Sequence, residues 1–330
     1  MKKNYRCFAL FSGGLDSMLA AKFMSSLGYE VLPIFFETPF FKPTKALKAA
    51  EIIGMKLIVH DLTPVYLPML ENPKYGYGKN MNPCIDCHGL MFRTAGELME
   101  KYNVDFLISG EVLGQRPMSQ RKDAMNSVGK LSNKKDLLVR PLSQKLLADT
   151  LPIREGWVKK EEMLDIQGRS RQRQLELAKE FGIVDFESPG GGCLLTDVGF
   201  GKKMKDLKEY DMLELKYINT LSVGRHFRIS ENTKMIVGKH KNDNNRIAEL
   251  ITDETVMLVK EYPGPLAVIQ SKTTISDEEL QTCANILLRY SSRAPEEASV
   301  KYGPNFHLDN DILAVKISND MLNKMRINQG

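Results

Sequence analysis

Ser12-Gly13-Gly14-Leu15-Asp16-Ser17 follows the apolar run Cys7-Phe8-Ala9-Leu10-Phe11, and its residue types suit the holding of an anion. Two successive glycines let a backbone approach a phosphate closely. The open N–H groups of a first helical turn, with the helix dipole behind them, point at that phosphate. Ser12 and Ser17 add hydroxyl donors, and Asp16 can cap the helix or hold a cation such as Mg²⁺. Neither G-x-x-x-x-G-K-[ST] nor G-x-G-x-x-G occurs at this turn, which excludes the commoner nucleotide loops.

The second reactive set is sulfur. Cys84-Ile85-Asp86-Cys87 is a C-x-x-C, and Cys193 ends Pro189-Gly190-Gly191-Gly192-Cys193. Asn82-Pro83 leads rigidly into the pair, and a following helix N-terminus favours thiolates. The glycines before Cys193 let the backbone pack against a bulky inorganic group. Three readings stand. Three thiolates hold a [4Fe–4S] cluster with one iron open for an extra sulfide. Cys84 or Cys87 carries a persulfide that Cys193 resolves. Zinc sits on the three cysteines and His88. C-x-x-C-H also spells haem attachment, which belongs to exported proteins and is set aside. Cys7 and Cys283 read as buried small apolar residues.

The elements that must position these groups alternate. Strands are predicted at 5–11, 30–36, 56–60, 105–110 and 137–142, and helices at 16–27, 43–53 and 88–102. The Pro-containing stretch 61–82 reads as irregular, and the charged stretch 145–187 as helical. Alternation at this pitch predicts an α/β fold, a parallel sheet with helices on both faces. Ligands then bind outside the carboxyl ends of the strands, where the Ser12–Ser17 turn and the segments after His60 and Gly110 emerge. From 204 the texture changes to a smaller α+β region. Its strands are predicted at 227–229, 235–238, 256–260 and 266–269, its amphipathic helix spans Asp277–Ser292, and the tail from Asn323 reads as loose. The domains are therefore expected at 1–203 and 204–330.

Apolar residues make up 42% of the 330 and charged residues 26%, enough to build buried cores in two domains. A net charge of +5 permits an anionic partner such as RNA without demanding one. No apolar run reaches membrane-spanning length, and Met1-Lys2-Lys3-Asn4 leads straight into a strand. The expectation is a cytoplasmic protein with no membrane partner. Five cysteines in that reducing setting serve metal binding, catalysis or burial rather than disulfides.

The hexapeptide S-G-G-x-D-S is similar to the signature of the PP-loop ATP pyrophosphatases, which split ATP between the α- and β-phosphates and adenylate a carbonyl oxygen. Residues 5–150 resemble the 4-thiouridine synthetase branch of the PP-loop tRNA thiolases. The matching segments are Cys84-Ile85-Asp86-Cys87-His88-Gly89-Leu90-Met91-Phe92-Arg93, Ser109-Gly110-Glu111-Val112-Leu113-Gly114-Gln115 with Ser119-Gln120, and Arg140-Pro141-Leu142. The resemblance implies that Gly110, Gly114 and Gln115 lie near the nucleotide. Three departures stand out. The chain starts directly at the PP-loop without the N-terminal RNA-binding modules. It shows no rhodanese-like tail. Its third cysteine lies in Glu187-Ser188-Pro189-Gly190-Gly191-Gly192-Cys193-Leu194-Leu195-Thr196. All three favour a cluster over a persulfide relay.

The C-terminal region resembles the NFACT RNA-binding module. The cues are Met235-Ile236-Val237-Gly238-Lys239-His240, Asn244-Asn245, Tyr262-Pro263-Gly264-Pro265-Leu266-Ala267-Val268-Ile269, the helix Ala284–Tyr290 with Ser291-Ser292-Arg293, and Val300-Lys301-Tyr302-Gly303. Arg225, Arg228, Lys234, Lys239, Lys241 and Arg246 form a basic cluster suited to phosphate contacts.

The function these resemblances imply is ATP-dependent thiolation of a tRNA uridine. ATP sits on Ser12, Gly13, Gly14, Asp16 and Ser17 with Mg²⁺. A flipped uridine carbonyl attacks the α-phosphate, and sulfide replaces the resulting AMP. Cys84, Cys87 and Cys193 serve as cluster ligands and sulfur site, and sulfide or a cysteine-desulfurase-type donor supplies the sulfur. Arg116, Arg121 and Lys122 are candidate phosphate or RNA contacts. The competing readings are an amidotransferase-like or small-molecule sulfur-inserting enzyme and a non-enzymatic nucleotide-sensing RNA-binding protein.

Overall fold

In β1 (Arg6–Leu10) the middle residues Cys7, Phe8 and Ala9 are all buried, as both faces of a helix-covered parallel sheet require. The computed structural model describes residues 4–116, 119–186 and 193–327, which fall into two compact units, Met1–Leu194 and Leu195–Gly330. In the first unit β1 is followed by α1 (Leu15–Ser26), β2 (Glu30–Glu37), α2 (Thr44–Ile52), β3 (Ile58–Asp61), α3 (Thr63–Glu71) and α4 (Cys84–Leu98). Then come β4 (Phe106–Ser109), α5 (Lys122–Ser132), β5 (Leu138–Val139), α6 (Leu151–Arg154) and α7 (Gln172–Glu180).

The five strands pair in parallel in the order β3-β2-β1-β4-β5. The chain winds outward from β1 to β3 on one side, and β4 and β5 lie on the other. The crevice between β1 and β4 is therefore the switch point of a doubly wound sheet, the place where such sheets bind ligands. α1 buries Leu15, Met18, Leu19, Ala20, Ala21 and Met24, nearly its whole circumference, which fixes its N-terminus rigidly at that crevice.

Several expectations change. The stretch read as irregular holds α3: Pro64 sits in its first turn, where a missing N–H costs nothing, and buried Tyr66 and Leu70 anchor it despite Pro68 inside. α4 starts at Cys84 rather than 88, because Cys87 N donates to Pro83 O at 2.8 Å and closes the first turn. The stretch 145–187, read as helical, is largely irregular within its described residues. Only α6, α7 and short 3₁₀ turns form, and Gly156 and Gly168 take positive φ between them. Residues 187–192 of the glycine-rich segment lie outside the described residues.

The second unit contains α8 (Val198–Glu209), α9 (Leu215–Ile218), β6 (Arg225–Arg228), β7 (Thr233–Val237), α10 (Lys241–Leu250), β8 (Thr255–Val259) and β9 (Ala267–Ser271). It closes with α11 (Asp277–Arg289), β10 (Glu297–Pro304), β11 (Asn310–Val315) and α12 (Asn319–Met325). The change of texture placed at 203/204 would cut α8. That helix belongs to the second unit, where Asp206 pairs with Arg228 of β6. The strands form an antiparallel sheet, β11-β10-β8-β9-β7-β6. The tail read as loose from Asn323 is structured within its described residues: Ser318 caps α12, and Arg326 bridges to Phe227. Among the described residues no helix is long and apolar enough to cross a membrane.

Alternation divides this sheet. Phe227, Met235, Val237 and Ile269 pack on one face with α11, while Ile236 and Val268 face Ile247 of α10. The proposed basic cluster is divided as well. Arg228 pairs with Asp206 inside, and Lys234 is fully buried, with its Nζ lacking a hydrogen-bond partner among the described residues. Arg225 is half-buried against the Tyr290 ring at 4.8 Å, whereas Lys239, Lys241 and Arg246 are exposed.

Burial, and next the charges of Asp206, Arg228 and Lys203, act on Lys234 with a net fall from its ordinary 10.5 to about 7. Lys203 falls to about 8 chiefly through burial, and burial also takes His226 well below its ordinary 6.5. Below pH 7 Lys234 is protonated folded and unfolded alike, and the full cost of its buried charge is present. Between about 7 and 10.5 the folded lysine has lost its proton while the unfolded one keeps it, so stability rises with pH. We expect the denaturant midpoint of the second unit to climb between pH 6.5 and 9. Lys234→Met should flatten that slope and raise stability at pH 6.5 by on the order of a few kcal/mol; an unchanged slope would contradict this account.

Candidate active site

The turn after β1 is folded by its own small side chains. Gly13 has φ +80°, and a Cβ there would lie 2.8 Å from Ala46 Cα, so α2 backs the turn directly. Gly14 is the N-cap of α1 without a side-chain cap. Ser17 Oγ donates to Gly14 O at 2.7 Å, and Ser12 Oγ lies 3.4 Å from both Gly14 N and Ser17 Oγ. The first turn of α1 is thus left to face an anion.

β4 supplies the opposite wall. A Cβ on Gly110 would lie 2.6 Å from Ser17 N and collide with the Asp16 carbonyl, so the two backbones are in direct contact. Gly114, at φ +78°, turns the chain so that Gln115 Nε2 donates to Asp16 Oδ2 at 2.7 Å. Gln174 Nε2 of α7 donates to Gln115 Oε1 at 2.9 Å. Burial pushes the Asp16 carboxyl up, and Gln115, Arg171 and Arg116 pull against that rise. The Gln174 amide adds a weaker pull without meeting Oδ1 in hydrogen-bond geometry. Asp16 Oδ1 stays buried without a partner among the described residues. That free oxygen beside a glycine cradle fits a Mg²⁺–phosphate group.

Glu111 joins this wall to the sulfur residues. Its carboxylate accepts from Arg140 Nε at 2.8 Å and Ser109 Oγ at 3.2 Å, and meets His88 Nδ1 at 3.3 Å. Burial alone would raise Glu111; the Arg140 guanidinium and then His88 overcome it and hold the carboxyl at about 2. His88 directly follows Cys87, and Glu111 directly follows Gly110, so one polar contact links the cysteine helix to the wall of the phosphate turn.

Cys84 and Cys87 share the first turn of α4, and Asn82 Nδ2 donates to Cys84 Sγ at 3.1 Å. Burial, then the Cys193 thiol, push the Cys87 thiol up; Cys84 and Asp86 add to the rise, and the Tyr66 hydroxyl opposes it. Burial likewise raises Tyr66, and Cys87, Cys193 and Cys84 raise it further. The three cysteines therefore share one electrostatic neighbourhood around a buried phenol. Among the described residues, however, no three of His, Cys, Asp or Glu stand in a metal-binding arrangement, so the expected preformed ligand set finds no support. The donor set fits an iron–sulfur group only in chemical kind: clustered thiols that repel one another's charge and that a cation would stabilise as thiolates.

Of the other candidates, Arg116 acts on Asp16, whereas Arg121 pairs with Asp123 at the surface. Cys7 and Cys283 are fully buried. Sequence reasoning passed over Gln174, Tyr66 and the Glu111–Arg140–His88 link. The closely spaced Arg169, Arg171 and Arg173 were a signal of the α7 contribution.

A doubly wound parallel sheet with a Gly-Gly turn at its switch point defines an α/β domain of the kind that takes ligands at that crevice. Residues 3–144 match the family model described as Thiamine biosynthesis protein (ThiI), and residues 224–325 match that of the NFACT protein RNA binding domain. The first segment lies in the first unit and the second segment in the second unit. Among similar proteins, a tRNA-specific 2-thiouridylase MnmA of Sulfurimonas denitrificans is 32% identical over 31% of this chain and 33% of its own length. A probable tRNA sulfurtransferase of Methanosarcina mazei is 30% identical over 32% of this chain and 28% of its own. The chain thus spans about a third or less of these two relatives. A 4-thiouridine synthetase–RNA complex with bound ATP superposes on 53% of this chain and 52% of its own at 17% identity, TM-score 0.36.

Glu111→Gln keeps the shape and removes the charge, leaving Arg140 buried without its counter-ion. We expect it to lower first-unit stability by roughly 3–5 kcal/mol, read as a fall in denaturant midpoint. A midpoint equal to that of the parent protein would show that the link carries no weight.

Proposed function

We propose that this protein thiolates uridine in tRNA at the expense of ATP. The observation that carries the reading is the junction Cys87–His88···Glu111–Gly110, which sets the sulfur residues against the wall that holds Asp16 and Ser17. The similarity to proteins named tRNA sulfurtransferase and tRNA-specific 2-thiouridylase supports the substrate.

Ser12, Gly13, Gly14 and Ser17 hold the phosphates, and Asp16 Oδ1 would hold a Mg²⁺ ion, which would neutralise phosphate charge. The uridine carbonyl oxygen attacks the α-phosphorus, the bond to the β-phosphate oxygen breaks, and pyrophosphate leaves with the electron pair. Sulfide then attacks the activated carbon, and the C–O bond breaks to release AMP with the original oxygen. Cys84, Cys87 and Cys193 would hold a [4Fe–4S] cluster, which would supply sulfide as a nucleophile. Glu111 and Arg140 keep α4 oriented toward the turn, and the buried surroundings of Cys87 and Tyr66 exclude water. In the second unit the exposed Lys239, Lys241 and Arg246 grip RNA phosphates. Cysteines outside disulfides persist in the reducing cytoplasm, where we place the reaction.

The test is anaerobic incubation of iron- and sulfide-reconstituted protein with ATP, sulfide and bulk tRNA, followed by mass spectrometry of nucleosides. We expect a thiouridine, its loss in Cys84→Ser, Cys87→Ser and Cys193→Ser, and a fall in AMP formation of about 100-fold or more in Asp16→Ala. Absence of thiouridine from every tRNA would reject the proposal. A brown, iron-containing protein whose colour each serine variant removes supports the cluster; an iron-free but active protein replaces it with a persulfide relay.

A further inference from the structure

α7 lies beyond the segment matched by the ThiI family model, yet it reaches the phosphate turn. Its three neighbouring arginines behave differently. Arg169 is exposed. Arg173 is committed outward to Glu176 at 3.2 Å and Glu180 at 2.9 Å. Arg171, at the N-cap, is half-buried; its Nε is buried without a hydrogen-bond partner among the described residues, and its charge acts on Asp16. One turn on, Gln174 is fully buried, on the same helix face as Leu177 and Ala178 in the core. Its Oε1 is also buried without a partner among the described residues.

The amide directions follow from Asp16. A carboxylate only accepts, so Gln115 must donate to it and turn its own oxygen toward Gln174, which must then donate. The relay Gln174→Gln115→Asp16 fixes the carboxylate with Oδ1 free. Three buried unpartnered atoms, Asp16 Oδ1, Arg171 Nε and Gln174 Oε1, thus belong to side chains gathered around the start of α1. One is an acceptor fitting Mg²⁺, and one a cationic donor fitting a phosphate oxygen.

We propose that Arg171 binds the pyrophosphate half of ATP and that Gln174 is a positioning residue that orients Asp16 through Gln115. This rests on the reading that Ser12–Ser17 holds ATP. As the bond between the α-phosphorus and the β-phosphate oxygen breaks, Arg171 neutralises the charge that gathers on the departing pyrophosphate.

The experiment titrates inorganic pyrophosphate with Mg²⁺ into the full chain by calorimetry and measures kcat and KM for AMP formation. Arg171→Ala should weaken pyrophosphate binding about tenfold or more, Arg171→Lys should restore part of it, and Arg173→Ala should leave it unchanged. Gln174→Glu reverses the amide relay by accepting from Gln115, and should lower kcat for AMP formation more than it raises KM. Gln174→Ala breaks the relay without burying a charge, keeps the test open if the glutamate variant fails to fold, and should shift kcat the same way. Pyrophosphate binding by Arg171→Ala equal to the parent, an equal loss in Arg173→Ala, or no binding by the parent protein would each overturn the assignment to Arg171. Unchanged kcat in Gln174→Ala would overturn the relay. Selective loss in Arg171→Ala in a protein that forms no thiouridine would uphold this inference while rejecting the thiolation reading.

Discussion

The buried carboxylate of Glu111 is the interaction on which the site depends. It stands at the end of β4, and its partners come from two other segments, Arg140 after β5 and His88 in α4. Taking these groups out of water is costly, and the cost is met only because the guanidinium and the imidazole converge on one carboxylate. Such an arrangement tolerates little displacement. While it holds, the first turn of α4 cannot slide along the sheet edge, and Cys84 and Cys87 keep their place relative to the start of α1.

Backbone contact does for the phosphate turn what charge does for the cysteine helix. Gly13 rests on α2 and Gly110 on the Asp16–Ser17 backbone, so the turn is clamped from two sides without a side chain intervening. The polar contacts of Asp16 come from farther along the chain, from Gln115 and from the amide of Gln174 behind it. Asp16 thus keeps one oxygen occupied and the other open, a division that a solvent-exposed carboxylate would not maintain.

Much of this was legible in the residues themselves. The strand–turn–helix at 5–27, the parallel alternation and the convergence of loops at one sheet edge follow from burial patterns and glycine placement, which are local. What was not legible is long-range or conditional. Glu111 is visible as a motif letter, but its partners lie in segments that only the fold brings together. α3 was hidden because its prolines read as breakers, although Pro64 sits where a helix tolerates one. The irregular path of 145–171 was hidden by charged, helix-favouring composition that two positive-φ glycines override. Composition also misled at Lys234: a lysine reads as surface, but alternation along β7 and its cover by flanking elements put this one inside. The remaining basic residues, Lys239, Lys241 and Arg246, fall just after β7 or on α10, where solvent reaches them.

The bare α-carbon at position 110 has a geometric corollary. Two crossover connections meet there main chain against main chain, so the gap between them is set by covalent dimensions and not by rotamers. A junction walled by side chains can breathe as they swivel; this one, backbone resting on backbone, holds the start of α1 at a set distance from the end of β4.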